Sequence, residues 1–183
     1  REYLYAVCSL VYDNERLYQS ATDAYRLILD FFYKRKHTPE TDTAFFHNMK
    51  RSFRDLLEKI KDEHPEETFR EVEILSPYFG NAQPVKDIQE ILDPGQIRIS
   101  LPYENEGEVT IPEAFYHELK QLGVQWCDVG ILKNEKGFRF NHSKIYRIKG
   151  RRKMFTVIGS VNLTNAAFHA FSDKNYPGNL EAA

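Results

Sequence analysis

Residues 138–148 read Phe-Arg-Phe-Asn-His-Ser-Lys-Ile-Tyr-Arg-Ile. Side chains that alternate across a strand put Phe138, Phe140, His142, Lys144, Tyr146 and Ile148 on one face. An imidazole and an ammonium then stand side by side, about 7 Å apart at a rise of ~3.3 Å per residue. A second long strand is expected across the turn Lys149-Gly150-Arg151-Arg152, leading into Val157-Ile158-Gly159-Ser160-Val161-Asn162-Leu163-Thr164. Gly159 allows a close backbone approach. Ser160 and Asn162 offer neutral donors on a common side while the chain stays extended. Gly178-Asn179-Leu180-Glu181 follows.

Working upstream, Val124 to Ile131 reads as a strand, and Phe115, Leu119 and Leu122 as a helix between Pro112 and Gly123. Ile97, Ile99 and Leu101 alternate as a strand. Val85, Ile88 and Leu92 mark a short helix ended by Pro94-Gly95, and Glu71 to Leu75 is a strand running into Ser76-Pro77-Tyr78-Phe79-Gly80. Strands alternating with helices predict an α/β layer with a largely parallel sheet. Before it, residues 3–12 read as a buried strand. Leu17, Ala21, Ala24, Ile28 and Phe31 recur at helical spacing. A second amphipathic helix is expected from Thr38 as N-cap and Pro39, through Phe45, Met49, Phe53, Leu56 and Ile60, to Pro65. These helices read as packing surface, or as an accessory module shaping a groove or a dimer contact.

The composition is 42% hydrophobic, 28% charged and 14% aromatic, enough apolar material for a packed core and against global disorder. No apolar run approaches the roughly 20 residues of a membrane-spanning helix. Two cysteines, Cys8 and Cys127, are too few for a disulfide scaffold or a cysteine zinc site, and a cytoplasmic protein is expected. The chain starts at Arg1 without a Met and is expected to be a piece of something longer. Its net charge of −2 hides an asymmetry: residues 133–153 hold nine basic side chains against Glu135, a surplus of +8, leaving −10 elsewhere. One segment, rather than the whole chain, has the character of a polyanion binder.

These residue types suit attack on a phosphodiester without metal. A neutral histidine is a nucleophile that can carry a phosphoryl group. Lysine and asparagine can hold non-bridging oxygens as charge builds. A carboxylate on the far ring nitrogen would set the tautomer. No cluster has metal-ligand spacing, and neither metal nor cofactor is expected.

His142-x-Lys144, Gly159-Ser160-x-Asn162 and Asn179-x-Glu181 together resemble the phospholipase D superfamily. The likeness is closest to its nuclease branch, which includes small bacterial endonucleases and a metal-independent restriction enzyme. It spans about residues 67–183, and Ser76-Pro77-Tyr78-Phe79 resembles the way such domains begin. The resemblance implies half of an α/β/α sandwich with a mixed, largely parallel sheet (residues 67–183), following an N-terminal strand and two-helix segment (residues 1–66). It implies His142 as nucleophile, or as general acid in the two-fold related half. Lys144, Ser160 and Asn162 would bind phosphate, and Glu181 would orient His142. The common aspartate five residues after the lysine is replaced by Lys149, as in nuclease and DNA-repair members, which tilts the expected substrate from lipid toward DNA. Lys149, Arg151, Arg152 and Lys153 are then expected to contact nucleic acid, with their turn forming the active-site rim. The superfamily builds one site from two motifs and this chain has one; His47-Asn-Met-Lys50 has the wrong spacing. A homodimer, or sequence outside this chain, is expected to supply the second. The alternatives are a phospholipase or phosphatidyltransferase, and a catalytically silent nucleic-acid-binding or dimerisation module.

Overall fold

The computed structural model describes residues 19, 22–24, 26, 27, 46–100, 103–105, 108, 109, 111–127, 142–174, 178, 179 and 181–183. The strand expected at residues 3–12, the helix start at Thr38 and Pro39, and Phe138 and Phe140 lie outside these residues. The chain forms two compact units, Arg1–Phe45 and Phe46–Ala183. In the first, residues 19, 22–24, 26 and 27 are helical, within the helix expected there.

The second unit runs α1 (Phe53–Glu63), β1 (Glu71–Leu75), α2 (Gln83–Leu92), β2 (Gln96–Ser100), β3 (Tyr103–Asn105), β4 (Glu108–Val109), α3 (Glu113–Gln121), β5 (Gln125–Cys127), β6 (Lys144–Lys149), β7 (Met154–Gly159) and α4 (Asn165–Phe168). Helix α1 starts at Ser52, later than its apolar spacing predicts. Ser52 accepts from Asp55 N–H while the Asp55 carboxylate accepts from Ser52 N–H, a capping box that ends the helix N-terminally. Met49 lies before it, in a bend. Helix α2 ends at Asp93, held at φ 45°, and α3 ends before Gly123 at φ 74°, the left-handed stop read from its glycine.

The main sheet has the order β5-β2-β1-β6-β7. β1 and β2 pair in parallel, as do β2 and β5, which is the α/β part foreseen from strand–helix alternation. β6 runs antiparallel to both β1 and β7, so the sheet is mixed. β3 and β4 form a separate small hairpin.

One face of the sheet is apolar. Val72, Ile74, Ile97, Ile99, Tyr146 and Ile148 join side chains of all four helices in a single core. Each such burial contributes about 1.5–3 kcal/mol. Phe53 and Leu57 of α1 are 0% and 1% exposed, so α1 packs into this core.

The opposite face carries charge in cross-strand register. Glu73 on β1 binds Arg147 at 2.7 Å and Lys149 at 2.8 Å, and Lys149 also binds Glu71. Lys149 holds the Glu73 carboxyl below the ordinary carboxylate range. The β6–β7 turn is clamped separately. Arg152 N–H donates to Glu67 Oε2 at 2.9 Å, and this bond, reinforced by the Lys153 and Arg151 amides, pulls the Glu67 pKa down. A Cβ at Gly150 would overlap that carboxylate, so a side chain there would push the Glu67 clamp aside. A depressed folded-state carboxyl contributes stability above its unfolded value of about 4.3, and that stability is lost as pH falls through the folded value. Glu67→Gln is therefore expected to lower the denaturant midpoint at pH 7 and to flatten the decline of stability below about pH 4, read from urea melts across pH.

Candidate active site

The first strand residue of β6 is Lys144, and His142 lies two residues earlier in irregular chain. The two therefore do not share a strand face as period-two geometry predicts. Lys144, Tyr146 and Ile148 share the buried face, while His142 is exposed. The lysine side chain turns back instead, placing Nζ 2.6 Å from His142 Nδ1 and 2.8 Å from His142 O. Lys144 is 7% exposed. Burial pulls its pKa below the ordinary lysine value, opposed by the Glu181 carboxylate.

Lys144 pairs in register with Gly159, so the two motif segments meet at one end of the β6–β7 hairpin. Beyond Gly159 the chain leaves the strand and meets Glu181–Ala183. Ser160 N–H donates to Ala182 O at 2.9 Å, and Ala182 N–H donates to Ser160 Oγ at 3.0 Å. A Cβ on Gly159 would overlap the Ala182 carbonyl, which explains the glycine. Glu181 is 4% exposed. Desolvation raises its pKa, against hydrogen bonds from Ser160 and Asn179 and the charge of Lys144.

Asn162 follows on Val161, whose carbonyl accepts from the buried Tyr146 hydroxyl at 3.1 Å. Its Oδ1 is buried with no hydrogen-bond partner among the described residues. An orphaned amide oxygen costs about 1–3 kcal/mol, a penalty tolerated where function demands a side chain. Ser76 ties this segment to the start of the domain. Its Oγ accepts from Leu163 N–H at 3.1 Å, and Gly80 N–H donates to Leu163 O at 3.2 Å. The Ser76-Pro77-Tyr78-Phe79 and Gly159-Ser160-x-Asn162 stretches are thus neighbours.

Tyr78 has no site role in the sequence reading and belongs here. Its ring meets that of His142 edge-on at 5.4 Å between centroids, with Lys144 Nζ 5.9 Å from its centroid. It is 49% exposed, a half-open aromatic wall beside the imidazole. Position within Ser-Pro-Tyr-Phe after a strand was its only sequence signal.

The basic turn is elsewhere. Lys149 and residues 150–153 follow the far end of β6, roughly 17 Å from Lys144 at the ordinary strand rise. The expectation that this turn forms the active-site rim is therefore overturned. The motif residues lie at or before the start of β6 and at or beyond the end of β7, so the length of the hairpin separates them from its turn. Lys149 is neutralised by Glu71 and Glu73, whereas Arg151, Arg152 and Lys153 are exposed.

An α/β unit that brings His-x-Lys and Gly-Ser-x-Asn together at one end of paired strands defines a phospholipase D-like domain. A family model described as cardiolipin synthase, PLD-like domain, matches residues 65–180, well over half the chain. The chain belongs to this phospholipase D-like family. Among solved structures it is similar to NucT from Helicobacter pylori, with 17% identity and a TM-score of 0.49 over 76% of this chain and 80% of that one. No curated protein matches it. Among the described residues, no helix is long and apolar enough to cross a membrane.

Proposed function

We propose that the chain is one half of a metal-independent phosphodiesterase that cleaves nucleic acid, DNA in preference to RNA, through a phosphohistidine. The observation that carries this reading is the buried Lys144 ammonium held on the His142 ring, in register with Gly159, in a chain of the phospholipase D-like family. An ammonium only donates, so with Lys144 charged His142 Nδ1 accepts and the ring proton sits on Nε2. A phosphate entering the site competes for Nζ and releases Nδ1 to take the proton. The Nε2 lone pair then attacks phosphorus, and the bond to the leaving oxygen breaks. Water next attacks phosphorus, the P–N bond breaks, and the imidazole is restored. Lys144 and Asn162 hold the equatorial oxygens, Ser160 assists, and Glu181 holds charge against the lysine and orients His142. Support for the Asn162 role is its position three residues after Gly159, the register partner of Lys144, with an Oδ1 that is buried without a hydrogen-bond partner among the described residues.

The leaving oxygen needs a proton donor worth about 10²–10⁴-fold in rate. A second His-x-Lys supplies it, from a second copy or from the rest of a longer chain. Arg151, Arg152 and Lys153 serve the polymer rather than the scissile bond. Nucleotides spaced ~3.4 Å apart cover the roughly 17 Å from Lys144 in about five steps, a reach that a single lipid headgroup lacks.

The second reading, the same chemistry on a phosphatidyl ester, is favoured by the family's description. Hydrolysis of bis(4-nitrophenyl) phosphate by the assembled protein in excess chelator tests both. Turnover is expected to persist in chelator and to be inhibited by DNA. Loss of turnover in chelator would sink the metal-free scheme, and competition by anionic lipid vesicles alone would replace DNA by lipid.

A further inference from the structure

Asn48 lies outside the stretch that the family model matches, and it is 0% exposed. Its side chain donates to His169 O at 3.0 Å and to Asn179 O, and its Oδ1 accepts from Glu181 N–H at 2.7 Å. Its backbone is equally engaged: Asn48 N–H donates to Glu181 O at 3.1 Å, and its carbonyl accepts from Phe171 N–H at 2.8 Å. Phe46 and Ala183 exchange two further backbone bonds, at 2.6 and 2.9 Å. The segment around Asn48 thus lies beside Glu181–Ala183 as a short added strand, with Ser160 on the other side. Three of these five Asn48 bonds reach Asn179 and Glu181, and the other two reach His169 and Phe171.

We propose that Asn48 is a positioning residue for Glu181, and through it for the Lys144 ammonium. Ordinary structural glue needs no such specificity. An apolar residue would fill the space, but only an amide offers an acceptor to the Glu181 amide and two donors to the carbonyls of His169 and Asn179. Glu181 needs outside support because its carboxylate is buried among the charged Lys144, the Tyr146 hydroxyl, Ser160 and Asn179. Buried charge held out of register would lose these partners and be left uncompensated.

The proposal rests on the reading of Glu181 as part of the site, so its test has a readout independent of catalysis. In the whole protein, Glu181 is followed by carboxyl carbon NMR titration and by exchange of its backbone amide, in wild type, Asn48→Ala and Leu57→Ala. Leu57 is a buried core residue of α1 and controls for general loss of stability. Asn48→Ala is expected to speed exchange at Glu181 and to move its titration up by about half a unit or more, as the carboxylate loses the Lys144, Ser160 and Asn179 groups that favour its charged form. Leu57→Ala is expected to leave that titration in place. If Asn48→Ala does not fold, Asn48→Asp keeps the acceptor for the Glu181 amide and tests loss of the two donors, through faster exchange at Asn179 and Glu181. Unchanged exchange and titration, or equal shifts in Leu57→Ala, would overturn the proposal. Where the enzyme turns over, Asn48→Ala with Glu181→Gln is expected to cost no more than Glu181→Gln alone, because both act on one carboxylate. Multiplying effects would place Asn48 outside that linkage. Absence of turnover in wild type would defeat the phosphodiesterase reading while leaving the NMR result to decide the role of Asn48.

Discussion

Replacing His142 by Ala is expected to cut turnover of a small aryl phosphodiester by about 10³-fold or more, because the group that forms the covalent bond is gone. Nothing nearby substitutes for it. Lys144 is buried and bonded to the ring and to His142 O, and Tyr78 meets the ring edge-on. The fold is expected to survive, since His142 is exposed and precedes β6. Rapid quench with a phosphorus-labelled substrate is the measurement. Wild type is expected to trap an acid-labile, alkali-stable phosphoprotein, and the Ala variant none. Label retained in the variant, or residual turnover within tenfold of wild type, would move the nucleophile to another residue.

Phe53→Ala is expected to cost about 3–5 kcal/mol, the largest stability loss anticipated for a single core truncation here. Phe53 is 0% exposed and joins three elements of the core. Its ring lies 4.9 Å from Tyr146 on β6 and 4.8 Å from Phe168 on α4, with Phe46 at 6.0 Å. At about 2–4 °C per kcal/mol, the melting midpoint should fall by roughly 6–20 °C. Trp126, the single tryptophan, lies in the edge strand β5 and packs against the same core, so it reports by fluorescence. A melt at Trp126 that ignores Phe53→Ala would show that α1 is not part of the cooperative core that holds β5.

Much of the fold was legible because it is written at short range. Alternation in Glu71–Leu75, Gln96–Ser100 and Lys144–Lys149, and 3.6-residue spacing in Gln83–Leu92 and Glu113–Gln121, place side chains by their nearest neighbours. The stop at Gly123 is equally local, whereas the left-handed Asp93 that ends α2 was not read in advance of Pro94-Gly95. The start of α1 was misplaced because apolar spacing continues through Phe45 and Met49, while the deciding signal, the Ser52–Asp55 capping box, is polar. The family likeness was legible in the same way, as residue types at given separations.

What the sequence by itself determined, then, is the alternation of the main strands and helices and the family. Tertiary structure decided which groups those motifs meet. Asn48 holds the Glu181 amide across 133 residues, Ser76 holds Leu163 across 87, and Lys149 is neutralised by Glu71 across 78. No periodicity registers such pairs, because a hydrogen bond between distant residues constrains position in space and leaves both local patterns unchanged. The basic turn shows the same separation of scales. Its charge was plain in the sequence, but its distance from His142 follows from the length and pairing of β6 and β7, which carry the turn to the opposite end of the sheet.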